Sequence, residues 1–236
     1  MTLHLGILQT DHVLTEFQET HGDYTDMFHG LFKSVSDEVV FTDYDVQLAV
    51  PDSLDCDAYV ITGSRHSVYE DLPWIPDLVE FVRKILADQR QVIGICFGHQ
   101  LIAHYFGGRT EASERGWGVG VHASEVLGQY PWMQSPRDQI SLLCSHKDQV
   151  TALPTGAKLF LRSEFCPMAG YVIADQVVTV QGHPEFNKAY SGALLNKRRD
   201  ILGESVFQQG VESLTQATDD ELFARWLLKF AQGGDR

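Results

Sequence analysis

A cysteine set between two glycines and a histidine two residues from a glutamate are residue types from which acyl-transfer chemistry can be built. Cys96 lies in Val92-Ile93-Gly94-Ile95-Cys96-Phe97-Gly98-His99-Gln100, where an apolar run stops at Gly-x-Cys-x-Gly ahead of a helical pattern. A strand turning sharply into a helix needs small neighbours, because the apex residue is forced into a strained backbone conformation that leaves its side chain free. The helix expected from about His99 to Phe106 aims its positive end at the sulfur and favours the thiolate, the form that attacks. Such a nucleophile needs a base, and the base needs an orienting acceptor. Gly182-His183-Pro184-Glu185, directly after the apolar run Val177 to Gln181, supplies both. Pro184 stiffens the turn, so the Glu185 carboxylate can hold one imidazole nitrogen of His183 while the other faces the thiol. The backbone N–H groups of Phe97, just past the nucleophile, and of Gly63, at the end of an earlier strand, are the candidates for an oxyanion hole.

Elements that could position these groups follow from the apolar patterning. Leu3 to Gln9, a segment from about Glu38 to Thr42, Ala58 to Ile61, Gln91 to Ile95 and Val177 to Gln181 read as strands. Between them, Tyr24 to Phe32 and Pro76 to Asp88 carry apolar stripes at helical spacing. Alternating strands and helices predict an α/β fold with an open, mainly parallel central sheet, helices on both faces, and reactive groups at the carboxyl ends of the strands. The strand before Cys96 and the strand before His183 should therefore end on the same edge. After Gly107-Gly108, shorter alternating segments at Val119 to Leu127, Ile140 to Cys144, Leu159 to Ser163 and Ala169 to Ala174 predict antiparallel strands and a smaller antiparallel sheet. Leu214 to Ala231, with Leu222, Phe223, Trp226, Leu227 and Phe230 at helical spacing, is expected to be a closing helix. The length suits one domain over 1–236, with the motifs within 58–190 and a helical tail over 191–236.

Composition removes several function classes. The net charge of −14 would repel a phosphate backbone, which excludes nucleic acid as an expected partner. No stretch approaches the roughly 20 apolar residues of a membrane span, so no membrane role is expected. The first residues lack a basic and apolar leader, which predicts a cytoplasmic address. Cys56, Cys144 and Cys166 show no CxxC spacing and read as small apolar residues carrying reduced thiols. His99 and His104 stand five apart and no HExxH occurs, so no metal site is expected. Neither GxGxxG nor a Walker pattern is present, and no cofactor is expected.

The ordered set Gly94-Ile95-Cys96-Phe97-Gly98-His99-Gln100, Ser145-His146-Lys147-Asp148-Gln149-Val150 and His183-Pro184-Glu185 resembles the class I glutamine amidotransferase domain. The likeness extends over most of the chain. Gly22-Asp23-Tyr24, Asp26-Met27-Phe28 and the run Gly63 to Asp71 are similar to stand-alone members related to the amidotransferase domain of GMP synthase. The resemblance implies a Cys96–His183–Glu185 triad that hydrolyses the glutamine side-chain amide through a γ-glutamyl thioester and releases ammonia. It further implies that the Gln100 side chain and the backbone at Ser145 and His146 hold the glutamine α-amino and α-carboxylate groups. Arg65, His66 and Trp117 are further candidates for contact with substrate. Two departures bear on specificity: Thr62-Gly63-Ser64 stands where many relatives have Gly-Gly-Pro, and Lys147 stands where a glycine is frequent. No synthase segment follows residue 190, which predicts that any ammonia acceptor is a separate synthase chain. The same chemistry fits a γ-glutamyl peptidase acting on γ-glutamyl conjugates, and a glutaminase that works only when docked on a synthase is a further reading.

Overall fold

The computed structural model describes residues 2–233; Met1 and residues 234–236, the ends of the expected domain, lie outside the described residues. In chain order the elements are β1 (Leu3–Gln9), α1 (Thr15–His21), α2 (Tyr24–Lys33), β2 (Val39–Asp45), β3 (Ala58–Ile61), α3 (Trp74–Ala87), β4 (Gln91–Ile95), α4 (Phe97–Tyr105) and β5 (Arg109–Ala112). There follow β6 (Gly118–Val126), β7 (Gln139–His146), β8 (Asp148–Ala152), β9 (Ala157–Arg162), β10 (Gly170–Ile173), β11 (Val177–Val180), α5 (Lys188–Lys197), α6 (Arg199–Leu202), α7 (Glu204–Ser213) and α8 (Asp220–Ala231).

Nine strands form one sheet in the order β2-β1-β3-β4-β11-β10-β9-β6-β7, and β5 and β8 make a separate antiparallel pair. The first five run parallel, and from β11 onward each neighbour is antiparallel. The four segments expected to be antiparallel are so, and they extend the parallel sheet, while the smaller sheet comes from β5 and β8. In the parallel half, successive side chains pack into different cores, as the two-residue period of a doubly covered strand requires. Val60, Ile93, Ile95, Val178 and Val180 join Phe28, Phe32, Phe223 and Trp226 on the face covered by α2 and α8. Tyr59, Ile61, Val92 and Val177 join Leu78, Phe81, Ile85 and Leu101 on the face covered by α3 and α4.

Helix α2 begins where it does because Asp23 caps it and Asp26 answers with a bond to the Asp23 N–H, a reciprocal capping box. Helix α4 begins at Phe97, two residues earlier than expected, directly at the elbow. The closing helix α8 starts only at Asp220, and the segment before it contains the separate helices α5, α6 and α7. Their apolar positions are interrupted by Ala189, Gly192, Ala193 and Gly210, so the stripe that marks α3 is weak there. Among the described residues no helix is long and apolar enough to cross a membrane.

Candidate active site

The register of β11 on β4 pairs Val180 with Ile95, and the Cys96 N–H donates to the Val180 carbonyl at 2.8 Å. Two chain ends therefore leave the sheet side by side, one into the elbow and one toward His183. Cys96 has φ 49° and ψ −91°, in the positive-φ region that L side chains avoid. Such strain costs on the order of 1–3 kcal/mol and persists only where the surroundings leave no alternative. Here the surroundings are steric. A Cβ at Gly94 would stand 2.8 Å from the Gly98 carbonyl carbon, and one at Gly98 would stand 2.7 Å from the Ile61 carbonyl oxygen. Strand β4, helix α4 and strand β3 thus touch through backbone, and the sulfur is held at the apex with little exposure.

His183 is anchored through its backbone, whose N–H donates to the Leu143 carbonyl at 2.7 Å. Its Nδ1 lies 2.7 Å from Glu185 Oε1, and its ring is close enough to Cys96 for the sulfur to bear on its charge. With Nδ1 on the carboxylate, Nε2 is the nitrogen left for the sulfur. The imidazole lies flat on Phe186, with ring centroids 3.9 Å apart at 10°, and Phe186 is braced by the edge of Tyr190 and the face of Tyr24. Burial disfavours the imidazolium, but the Glu185 carboxylate and the Cys96 sulfur outweigh it and raise the His183 pKa to about 10. The second Glu185 oxygen, Oε2, is buried with no hydrogen-bond partner among the described residues. The carboxylate and the sulfur thus favour the protonated form of His183.

Gly63 is a glycine because of what it faces: a Cβ there would stand 2.7 Å from His183 Cε1 and 3.6 Å from Cys96 Cβ. The fully buried Thr10 holds this turn from behind, its hydroxyl 2.9 Å from the Gly63 carbonyl oxygen and 3.2 Å from that of Thr62. A trans peptide points its N–H opposite to its carbonyl, so tying the Thr62 carbonyl to Thr10 turns the Gly63 N–H away from Thr10. Phe97 occupies the first position of α4, where a helical N–H has no partner within the helix. The ring of Phe97 is buried beside Trp74.

Cys96 opens on a cleft of about 170 Å³ whose walls include Gln100, Ser145, His146, Lys147 and Asp148, with Arg65, His66 and Trp117 also lining it. The structure thus brings every residue proposed for substrate contact to one cavity. The Gln100 amide nitrogen is committed to the Asp148 carbonyl (2.9 Å) and to Gln181 Oε1 (3.1 Å). His146 is kept neutral, its pKa lowered to about 3 first by burial and then by neighbouring imidazoles. His99, away from the cleft, bonds Thr179 Oγ1 at 2.8 Å, with its pKa likewise lowered to about 3, mainly by burial. Among the described residues no group of His, Cys, Asp and Glu is arranged to hold a metal. Cys56, Cys144 and Cys166 are buried free thiols, and burial pushes each one's pKa up, that of Cys166 to about 12.

Two site residues escaped sequence reasoning. Gln181 donates from Nε2 to Cys96 Sγ at 3.5 Å, linking the nucleophile to Gln100. Its only signal was a polar residue closing an apolar strand. Arg198 at the end of α5 lines the cleft and donates to Ser145 Oγ at 2.6 Å, and nothing in its local sequence marks it.

A cysteine at a strand-to-helix elbow, with a histidine and a glutamate just past the end of the adjacent parallel strand, defines the class as an α/β protein that gathers a cysteine, a histidine and a glutamate at one edge of its sheet. The family model described as glutamine amidotransferase class-I matches residues 20–198, and the chain belongs to that family. It is 32% identical over 180 residues to gamma-glutamyl peptidase 3 of Arabidopsis thaliana, covering 72% of each chain. It is 29% identical over 168 residues to a glutamine-hydrolyzing GMP synthase subunit of Halobacterium salinarum, covering 71% of this chain and 86% of that one. The fold matches the crystal structure of a glutamine amidotransferase from Thermotoga maritima with a TM-score of 0.78 at 17% identity, over 98% of this chain and 99% of the other.

Proposed function

We propose that the chain is a cysteine hydrolase that opens the γ-glutamyl amide bond through a thioester on Cys96, with glutamine as the simplest substrate. The observation that carries this reading is the 2.7 Å His183–Glu185 bond beside a sulfur held at φ 49°. The Cys96 sulfur attacks the amide carbon, and a carbon–sulfur bond forms as the carbonyl oxygen becomes an oxyanion facing the N–H groups of Gly63 and Phe97. His183 passes its proton to the amide nitrogen, the carbon–nitrogen bond breaks, and the amine leaves. Water, giving a proton to His183, then attacks the thioester and releases glutamate and the thiolate. Glu185 holds His183 in one orientation throughout.

Ammonia from glutamine and an amino acid or peptide from a γ-glutamyl conjugate are both leaving amines for this sequence of steps. The 32% identity to a gamma-glutamyl peptidase favours the second, while the likeness to part of a GMP synthase keeps a separate synthase chain as ammonia acceptor in play. Four free thiols fit a reducing, cytoplasmic setting. Replacing Cys96 with Ala should lower hydrolysis of glutamine and of γ-glutamyl dipeptides by at least about 10⁴-fold. Mass spectrometry of the wild-type protein should trap a γ-glutamyl adduct on Cys96. Unchanged turnover in the variant, or an adduct on another residue, overturns the reading.

A further inference from the structure

The cleft at Cys96 shares three of its walls with a neighbouring cavity. Arg65, Trp117 and Arg198 line both that cleft and a second, larger hollow of about 360 Å³, whose other walls include Leu14, Tyr24 and Leu194. Departing ammonia occupies about the volume of one water, roughly 30 Å³, and needs no such chamber. The mixture of aliphatic side chains, three aromatic rings, a histidine and two arginines suits an amphipathic group with an anionic end.

The two arginines differ in charge state as a ligand would meet them. Arg65 is neutralised by the buried Asp11 carboxylate, with Nε 2.8 Å from Oδ2, and a further nitrogen is held by the His12 carbonyl at 2.6 Å. Arg198 has no carboxylate partner among the described residues. It donates to Ser145 Oγ, and its guanidinium lies 5.3 Å from the centre of the Trp117 ring. A guanidinium has five N–H donors, and one of them is spent on the serine. In a chain with 32 acidic residues against 18 basic ones, a partly buried arginine left without a counter-ion between two hollows is poised for an anion from outside.

We propose that the second hollow is the leaving-group subsite and that Arg198, set on the Trp117 ring, binds the carboxylate of an amino acid released from a γ-glutamyl amino acid. The inference rests on the thioester reading above and names its substrate class. As the Cys96 carbon–sulfur bond forms and the amide carbon–nitrogen bond breaks, the proton from His183 goes to the departing nitrogen. A free α-amine results, still held through its carboxylate, and water then cleaves the thioester. Arg198 is a specificity-determining residue, because a site built to pair with a charged group discriminates against a substrate lacking it.

The test compares kcat/KM of the full chain for γ-glutamyl-leucine, γ-glutamyl-leucinamide and glutamine. Wild type should prefer the free carboxylate over the amide by at least about tenfold. In Arg198→Gln that preference should collapse toward unity, and Arg198→Lys should restore part of it. The wild-type ratio stands independently of how any variant folds. Equal turnover of γ-glutamyl-leucine and its amide by wild type overturns the proposal. So does a loss of the same size on all three substrates in Arg198→Gln, which would place Arg198 on the glutamyl half. Absence of any Cys96 adduct and of turnover of all three compounds strikes the thioester reading instead, so the two failures are distinguishable.

Discussion

The elbow at Cys96 and the wall formed by Trp117 and Arg198 line one cleft, yet the chain holds them by different means. At the elbow, backbone meets backbone: Gly94 against Gly98, Gly98 against Ile61, and the Cys96 N–H on the Val180 carbonyl. No side chain can rotate to relieve the strain at φ 49°, so the position of the sulfur follows from the path of three elements. At the wall, side chains from distant segments line a common cleft. Arg65 follows β3, Trp117 precedes β6, Lys147 joins β7 to β8 and Arg198 ends α5, and each is at least partly exposed. Close-packed backbone is costly to alter, whereas solvent-facing side chains exchange cheaply. On the proposed reading, the chemistry belongs to the rigid region and the choice of leaving group to the adjustable one.

If the elbow region sets the chemistry, disturbing the group that orients its base should give the largest loss. Glu185→Gln keeps the shape and removes the charge that favours the protonated form of His183. Hydrolysis should fall by about 10²- to 10⁴-fold for every γ-glutamyl substrate alike. The wild-type His183 pKa is raised to about 10, against about 6.5 in an unfolded chain. Its contribution to stability is thus complete below about pH 6.5 and is lost as pH rises toward 10. Nitrogen NMR of the imidazole should show titration near pH 10 in wild type and at lower pH in the variant. A variant in which the histidine still titrates near pH 10 would break the link between Glu185 and the base.

Next in size is Gly63→Ala, which sets the steric argument against the electrostatic one. The added Cβ falls 2.7 Å from His183 Cε1, so the ring or the turn must move. An ångström of misplacement in a reacting group costs about 10²-fold, and kcat should drop by that order for all substrates. Thr10 and the Phe186 stack restrain the turn and the ring, which limits any escape. Full activity in this variant would show that the elbow region has more freedom than its contacts suggest.

The same contrast explains what could be read from the residues alone. Cys96 with its flanking glycines, and His183 with Glu185, are contiguous motifs at strand ends. Local patterning reveals both the residues and the sheet edge they share. The parallel core strands were legible because Ala58 to Ile61 is an unbroken apolar run and Val177 to Val180 is β-branched throughout. Helices α5 to α7 were legible only as part of a helical tail over 191–236 and not as separate elements, since Gly192, Ala193 and Gly210 dilute their apolar stripes, and so nothing marked Arg198 at the end of α5. Gln181 was hidden for a different reason: its bond to Cys96 exists only through the pairing of β11 with β4. What depends on tertiary side-chain meetings leaves no spacing to read.

The smallest effect is expected at Lys147, in the turn that joins β7 to β8. Its side chain is exposed and lines the cleft, while its backbone carbonyl accepts a bond from the Ser113 N–H at 2.9 Å. That main-chain bond does not depend on the side chain, so Lys147→Gly leaves it intact. Greater freedom of glycine in the unfolded chain should cost about 0.4–1 kcal/mol, seen as a fall in Tm of roughly 1–4 °C. Because Lys147 is solvated, kcat/KM for glutamine should change by less than about threefold, with any change confined to KM. A loss approaching that of Glu185→Gln would place Lys147 with the machinery of the elbow and dissolve the distinction between the two regions. A modest shift in the ratio of γ-glutamyl-leucine to glutamine turnover, at constant kcat, would instead put Lys147 beside Arg198 among the side chains that select the leaving amine.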